Sequence, residues 1–476
     1  MKVLLVNPSY REVYSKVGKS GGIVAPLGLA YLAALLRENN ITVEILDAHA
    51  LGLSLGELER SLCGYDIVGV PSFTSSLHSS LKVLELAKKN NPACNCVIGG
   101  PHISALPVQT MKLHPQIDFG VIGEGEYTFL ELVEALQTGS SYKNIRGIVY
   151  RQDSEVKLTP ARDVIEDIDR LPFPAYDLLP VEKYNPPIHQ ISFSEDIPAK
   201  PYLLLLSSRG CPYDCSFCAS QVIWRKKLRL RSAANVLSEI DNLVTKFGVK
   251  TVNITDDHFM LDKNRLDEIL AGLIKRRYDF HFSCLSRIDA VSKETLGKLK
   301  TAGCYLIRYG VESGNQKMLA RMHKDLSLSQ IEQAFNYTRG VGLSSSASFI
   351  IGYPGETRQS FADTIKLARR IRPRIALFFI AIPFPGTELY NVAKSKNLIV
   401  DRDYRNWKLL PDVPPVRTEE LSSADLQKLR RKAYRQFYFY PAYILERIKE
   451  IKSFTQVKLY FKGLLSLSGL INNETN

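Results

Sequence analysis

The chain is predicted to be α/β: a doubly wound parallel sheet, then a partial barrel of six βα units, then a helical C-terminal region. Three observations predict this. Strand and helix patterns alternate twice along the 476 residues, in 1–137 and again in 201–400. The strands are continuous apolar runs, as parallel strands covered on both faces require. The polar and glycine-rich residues collect just after the strands, where such sheets bind ligands. A chain this long also exceeds one ordinary core.

In the first series the strands are expected at Lys2 to Val6, Thr42 to Leu46, Ile67 to Val70, Cys96 to Ile98 and Phe119 to Ile122. Helical patterns lie between them at Leu27 to Arg37, Leu55 to Leu62, Ser76 to Lys89 and Tyr127 to Leu136. This is the order of a Rossmann-like domain. The crevice at its strand ends is expected to hold Asn7-Pro8-Ser9, Asp47, Pro71 to Ser75, Gly99-Gly100-Pro101-His102 and Gly123-Glu124-Gly125-Glu126. Residues 138–200 carry prolines and no clear period, and are expected to be a linker.

The second series has strands at Leu203 to Ser207, Val252 to Thr255, Phe280 to Leu285, Leu306 to Val311, Ala347 to Ile351 and Ile375 to Ile382. A (β/α)6 partial barrel follows, with its chemistry on the carboxyl-end loops. Those loops carry Asp256-Asp257-His258, Arg287 and Asp289, Glu312-Ser313-Gly314, Gly352-Tyr353-Pro354-Gly355-Glu356-Thr357 and Pro383 to Thr387. The Asp256 to His258 run can equally cap the next helix.

The first of these loops is the most informative. Arg209-Gly210-Cys211-Pro212-Tyr213-Asp214-Cys215-Ser216-Phe217-Cys218 packs three cysteines into one short turn. Three thiolates can hold an iron-sulfur cluster and leave one iron open. Small core hydrophobes or half a zinc site are the alternatives. Gly210, Pro212 and Asp214 mark a loop rather than core, and no histidine or second C-x2-C pair stands close enough in sequence to complete a zinc set. Cys63, Cys94, Cys96, Cys284 and Cys304 read as packing residues.

Composition narrows the class further. Hydrophobic residues at 45% and charged residues at 23% describe a globular chain. Eight cysteines form no dense framework, and the start lacks the features of a secretory signal, so a reducing, cytoplasmic setting is expected. No run approaches a membrane span, which leaves at most a peripheral contact at the inner membrane face. The net charge of +13 attracts any polyanion and specifies none. Residues 401–476 are basic and aromatic, with Lys428 to Arg435 beside Tyr434, Phe437, Tyr438, Phe439, Tyr440 and Tyr443. Such a region either covers the barrel or rests on a membrane.

The cysteine spacing with Phe217 before the last thiol, Gly310-Val311-Glu312-Ser313-Gly314, Gly352 to Thr357, and the two glycine motifs of the first half together resemble the cobalamin-binding radical S-adenosylmethionine enzymes. The resemblance covers nearly the whole chain and is strongest to the branch with the anaerobic magnesium-protoporphyrin ester cyclase and cobalamin-dependent methyltransferases. It implies a 4Fe-4S cluster on Cys211, Cys215 and Cys218, S-adenosylmethionine near Phe217, Glu312 and Ser313, and cobalamin near Ser72, Ser75, Gly99, Gly100 and Glu124. Glu312 can alternatively be a structural ion-pair partner. Asp47-Ala48-His49-Ala50-Leu51-Gly52 fits the cobalt-ligating D-x-H-x-x-G signature, but it follows the second strand instead of the first, so His49 is not expected to ligate cobalt.

By this resemblance the cleaved S-adenosylmethionine yields a 5'-deoxyadenosyl radical that activates an unreactive carbon of a small or hydrophobic metabolite. Cobalamin then methylates that carbon, and an external one-electron reductant such as flavodoxin or ferredoxin drives the cycle. Radical ring formation or oxidation without methyl transfer is the alternative within the family. An iron-sulfur RNA-binding or RNA-modifying protein is the alternative from another class, and no RNA-binding signature accompanies it.

Overall fold

The computed structural model describes residues 1–10, 21–153, 155–192, 194, 196–408, 410–411 and 413–471. Its first domain is a sheet of seven strands: β1 (Lys2–Asn7), β2 (Thr42–Asp47), β3 (Ile67–Pro71), β4 (Asn95–Gly99), β5 (Phe119–Val121), β6 (Ile148–Gln152) and β7 (Glu155–Leu158). The order is β2-β1-β3-β4-β5-β6-β7, with β1 to β5 parallel and the last two antiparallel. The strand order reverses between β1 and β3, which sets the ligand crevice there. Two hydrophobic layers, one including Val3 and Leu5 and the other Leu4 and Val6, cover the two faces.

Segment 138–200, expected to be an irregular linker, therefore contributes a hairpin to the first sheet. Only Ile148, Val149 and Tyr150 of that hairpin are buried. The exposed polar residues of an edge hairpin hide the apolar period on which strand recognition depends. The rest of the segment consists of short 3-10 turns between prolines.

The second domain is a six-stranded, wholly parallel sheet of β8 (Tyr202–Leu205), β11 (Thr251–Ile254), β12 (His281–Ser286), β13 (Cys304–Glu312), β14 (Ser344–Ile351) and β15 (Ile375–Ile380). The strands neighbour one another in chain order and the sheet ends at β8 and β15, as an open barrel requires. A small antiparallel pair, β9 (Ser208–Arg209) and β10 (Arg229–Leu230), brackets the cysteine loop.

Alternate residues of each barrel strand face opposite ways. Val252, Ile254, Phe282, Cys284, Ile307, Tyr309, Ala347, Phe349, Ala376 and Phe378 belong to the core beneath the helices. The intervening Asn253, Ser283, Arg308, Leu377 and Phe379 line the opposite, concave face. The helix Ser423–Tyr438 closes the β15 edge, and Tyr434 and Phe437 pack edge-on against Phe378.

Candidate functional site

Two sets of carboxyl-end loops meet between the domains, and Arg209 ties them together. Its guanidinium donates to Glu124 at 2.7 Å and Glu126 at 2.6 Å. Arg229 reaches the other Glu124 oxygen at 2.5 Å. The Ile165 N–H donates to Glu124 as well. Arg209 lies over the rings of Tyr31 and Trp224 at 5.3 and 5.0 Å. The Glu124 side chain is only 2% exposed. Its carboxylate, expected to face a cofactor, is thus engaged by the domain joint.

The cysteine loop begins at this joint. Gly210 has φ +84°, and a Cβ there would lie 2.2 Å from the Lys227 carbonyl oxygen, so glycine alone lets the chain turn beside β10. Asp256 is fully buried and accepts from the Ser207 N–H at 2.6 Å and the Ser208 hydroxyl at 2.7 Å, fastening the loop's entry. Further along, the Ser216 hydroxyl meets the Tyr353 hydroxyl at 2.6 Å, so the Gly352 to Thr357 loop supports its far side. Phe217 packs with Met318, Met322 and Tyr353.

Between these anchors Cys211, Cys215 and Cys218 are free and half-buried. Burial raises all three thiols, Cys218 to about 12. A bound metal reverses that bias by taking the thiolate. Among the described residues no three His, Cys, Asp or Glu side chains converge as ligands of one ion would. A cluster places its thiolates on different irons and needs no such convergence.

Around the loop, unsatisfied polar groups mark room for a ligand. His258 is fully buried, with neither ring nitrogen hydrogen-bonded, and its ring is stacked on Tyr213 at 6.0 Å. Burial holds its pKa down at about 4, so it is neutral at pH 7. It does not cap the next helix; Asp262 does, accepting from the Arg265 N–H. Asp257 accepts from the Ser220 hydroxyl. Arg287 lies 3.6 Å above the Tyr213 ring.

Glu312, at φ +67° beyond a register shift in β13, pairs with the Lys324 ammonium at 3.1 Å. Lys324 also stands 6.0 Å from the Phe217 ring, so Glu312 and Phe217 share one wall. A Cβ on Gly310 would come within 2.3 Å of the Glu312 carboxylate and 3.0 Å of the Lys324 ammonium, so a side chain there would push this ion pair aside. Ser313 is turned elsewhere: its hydroxyl meets Thr364 at 3.2 Å and accepts from the Asn315 N–H. It buttresses the loop and presents no free hydroxyl to the mouth.

Below the mouth, the concave face of the barrel carries residues that the sequence reading passed over. Arg308 donates to Asn253 at 2.8 Å, and Ser283 donates to the same oxygen at 3.1 Å. The Arg308 Nε is buried without a partner, and no carboxylate pairs with this guanidinium among the described residues. Leu377 and Phe379 stand on the same face, half-exposed. The signal available in sequence was the period-two polar set Thr251, Asn253, Ser283, Arg308, Ser346 and Ser348 within otherwise apolar strands.

In the first domain's crevice, Ser72 clamps the glycine turn. Its N–H and hydroxyl both donate to the Gly99 carbonyl, and its hydroxyl accepts from the Ile103 N–H. Gly100, at φ +99°, leaves only 3.1 Å between a would-be Cβ and the Ser72 backbone. Ser75 is half-exposed and free of such duties. His102 contacts the Thr74 hydroxyl at 3.0 Å and is held neutral by burial. The helix Pro101–Ala105 packs on the helix Ser220–Trp224 that follows Cys218, so this crevice adjoins the cysteine loop. His49, in the short helix Ala48–Leu51 after edge strand β2, accepts at Nδ1 from the Tyr10 N–H, while Asp47 caps that helix.

Residues 16–133 match the B12 binding domain model and residues 205–368 match the radical SAM superfamily model. An uncharacterised methyltransferase of Pyrococcus horikoshii is 34% identical over 98% of both chains. The anaerobic magnesium-protoporphyrin IX monomethyl ester cyclase of Rubrivivax gelatinosus is 28% identical over 93% of this chain and 78% of its own. The solved structure of the cobalamin-dependent S-adenosylmethionine radical enzyme OxsB, bound to aqua-cobalamin and S-adenosylmethionine, superposes with a TM-score of 0.74 at 18% identity. It covers 98% of this chain and 71% of its own.

Proposed function

The chain belongs to the cobalamin-dependent radical S-adenosylmethionine methyltransferase family, and from that premise we propose which of its residues do the work and on what kind of substrate. Cys211, Cys215 and Cys218 hold the 4Fe-4S cluster. Phe217 and the Glu312–Lys324 pair form the S-adenosylmethionine wall, with Ser313 as its buttress. Cobalamin occupies the crevice bounded by Ser75, Gly99 and Gly100, with Ser72 shaping its floor. When bound, these groups supply a carbon radical and a transferable methyl group.

The protein's part is to hold the reactants in place and keep water out. The substrate enters the concave face of the barrel. Arg308 and the amide nitrogen of Asn253, whose oxygen Ser283 helps to hold, offer charged and neutral donors to an acidic or strongly accepting group of the substrate. Leu377 and Phe379 offer it an apolar wall. An external one-electron reductant, a flavodoxin or ferredoxin, supplies the electron. One observation carries this reading: three free thiols on one loop stand between the crevice of the first domain and the open face of the second.

The test is anaerobic cluster reconstitution with cobalamin, reductant and S-adenosylmethionine, followed by quantification of 5'-deoxyadenosine and S-adenosylhomocysteine. Both products are expected, and both should vanish in Cys215→Ala. Similarity to the ester cyclase over nearly the whole chain supports a second reading, radical ring formation without methyl transfer. With the true substrate present, deoxyadenosine without S-adenosylhomocysteine would select that reading.

A further inference from the structure

The three C-terminal helices differ in the face they bury. Ser423–Tyr438 is conventional, burying Leu426, Leu429, Ala433, Tyr434 and Phe437. The next, Pro441–Glu450, is inside out. Its inward face carries Arg447, which pairs with Glu450 at 3.0 Å and lies over the Tyr443 ring at 5.3 Å. Its outward face carries Ile444, Leu445 and Ile448, which are 39%, 59% and 57% exposed.

The helix Phe454–Ile471 repeats the inversion. Tyr460 turns inward, meeting Arg374 at 2.8 Å. Phe454, Val457, Phe461 and Leu465 form one outward stripe, 72%, 41%, 61% and 58% exposed. Phe439, at the end of the helix Ser423–Tyr438, is likewise 56% exposed. Monomeric soluble proteins rarely leave so contiguous an apolar face in water.

Among the described residues of these two helices, the exposed charge is basic. Lys449, Lys452, Lys458 and Lys462 are exposed beside it. The acids of the same two helices, Glu446 and Glu450, are turned in toward Arg447 and Arg374. Lys458 also lies 4.9 Å over the Phe454 ring. A second observation is independent of the stripe. A groove of about 530 Å³ runs between the helices Arg358–Ile371 and Ser423–Tyr438, lined by Lys366, Arg369, Arg370 and Lys432 and ending at Tyr440. Tyr440 caps the inside-out helix and lies 5.0 Å under Arg369. Lys366 and Lys432 face no carboxylate among the described residues.

We propose that this C-terminal face docks on an anionic phospholipid bilayer, with the stripe in the acyl boundary and the exposed lysines, with Lys366 and Lys432 of the groove, at the headgroup phosphates. No described helix is long and apolar enough to cross a membrane, so the helices lie in the interface plane. The Tyr443 and Tyr460 hydroxyls hold Arg374, just before the amino end of β15. The docked face therefore lies at the opposite end of the barrel from the cysteine loop. It anchors the enzyme and does not gate the substrate mouth.

The test is flotation of the full-length chain with phosphatidylcholine vesicles, with and without phosphatidylglycerol, in low and high salt. Strong flotation with the anionic vesicles is expected, reduced by salt and by Lys458→Glu/Lys462→Glu. The pair Phe454→Ser/Phe461→Ser should lower partitioning by about tenfold or more. Both pairs are exposed, so circular dichroism should match the parent chain. Cleavage of S-adenosylmethionine should be unchanged in both, because neither touches the mouth. Failure to float with either vesicle, or flotation that survives the phenylalanine pair, overturns the proposal. A dimer in sedimentation equilibrium that this pair disperses also overturns it, assigning the face to a second copy.

Discussion

The mouth of the barrel and the joint between the domains are built from similar residues used in opposite ways. At the joint the carboxylates are spent: Arg209 and Arg229 take the two Glu124 oxygens and Glu126 takes the other terminal nitrogen of Arg209, while Nε and one terminal nitrogen of Arg229 stay buried without acceptors. At the mouth and on the face below it, His258 has two idle ring nitrogens, Arg308 has a buried Nε without an acceptor, and the three cysteines are free. Buried polar groups cost free energy unless they are hydrogen-bonded. A cluster whose charges are paired is therefore architecture, and buried polar groups with no counter-charge mark a place where a ligand completes the structure. Burial and charge alone do not separate the two, because Glu124 and Glu312 are equally hidden.

Substitution in the mouth should abolish chemistry while sparing the fold. Cys215→Ala is expected to lose the cluster's visible absorbance and at least a hundredfold in S-adenosylmethionine cleavage, with the apoprotein's melting temperature nearly unchanged. The opposite pattern is expected at the joint. Glu124→Ala leaves Arg209 and Arg229 buried and short of a counter-charge, and breaking a buried pair this way costs about 3–5 kcal/mol. Its urea midpoint should fall well below that of Cys215→Ala. If the two variants lose stability equally, the division between architecture and site is wrong.

The sequence carried the fold better than it carried this division. All eleven expected strands form, because their continuous apolar runs reflect burial on both faces. The hairpin of β6 and β7 stayed hidden because an edge hairpin needs few apolar residues. Within the site, the cysteines were legible from spacing, since all three lie in one loop. Glu124 was not: its partners Arg209 and Arg229 lie 85 and 105 residues away, and only tertiary structure shows that its carboxylate is spent. Arg308 was passed over for a related reason, since its loneliness is a property of the neighbouring strands.

A smaller effect concerns Glu356, which is architecture held under strain. It is buried, has no cationic partner among the described residues, and accepts from the Gly352 N–H, and burial raises its pKa to about 7. A carboxyl group with a raised folded pKa contributes stability that is full below its unfolded value near 4.5 and is lost as pH climbs through about 7. Glu356→Gln keeps an acceptor for Gly352 without the charge. The variant should therefore gain about 1–3 kcal/mol over the parent at pH 8 and little or nothing at pH 4.5. Chemical denaturation at the two pH values measures this. An equal effect at both would mean that Glu356 is already neutral or is stabilised by a charge elsewhere.

The finest distinction lies between two serines of one loop. Ser72 is saturated, and Ser72→Ala strands the Ile103 N–H, so it should cost about 1–3 kcal/mol of stability. Ser75 is half-exposed and spared such duties. Ser75→Ala should leave the unfolding curve within about 0.5 kcal/mol of the parent. If its hydroxyl meets the cobalamin tail, it contributes about 0.5–1.5 kcal/mol there, which is roughly a two- to tenfold loss in affinity. Equilibrium titration with hydroxocobalamin, followed by the absorbance of the corrin, reads that loss apart from stability. Unchanged affinity in Ser75→Ala would move the tail away from this loop, leaving Gly99 and Gly100 as turn residues whose tight backbone serves only the fold.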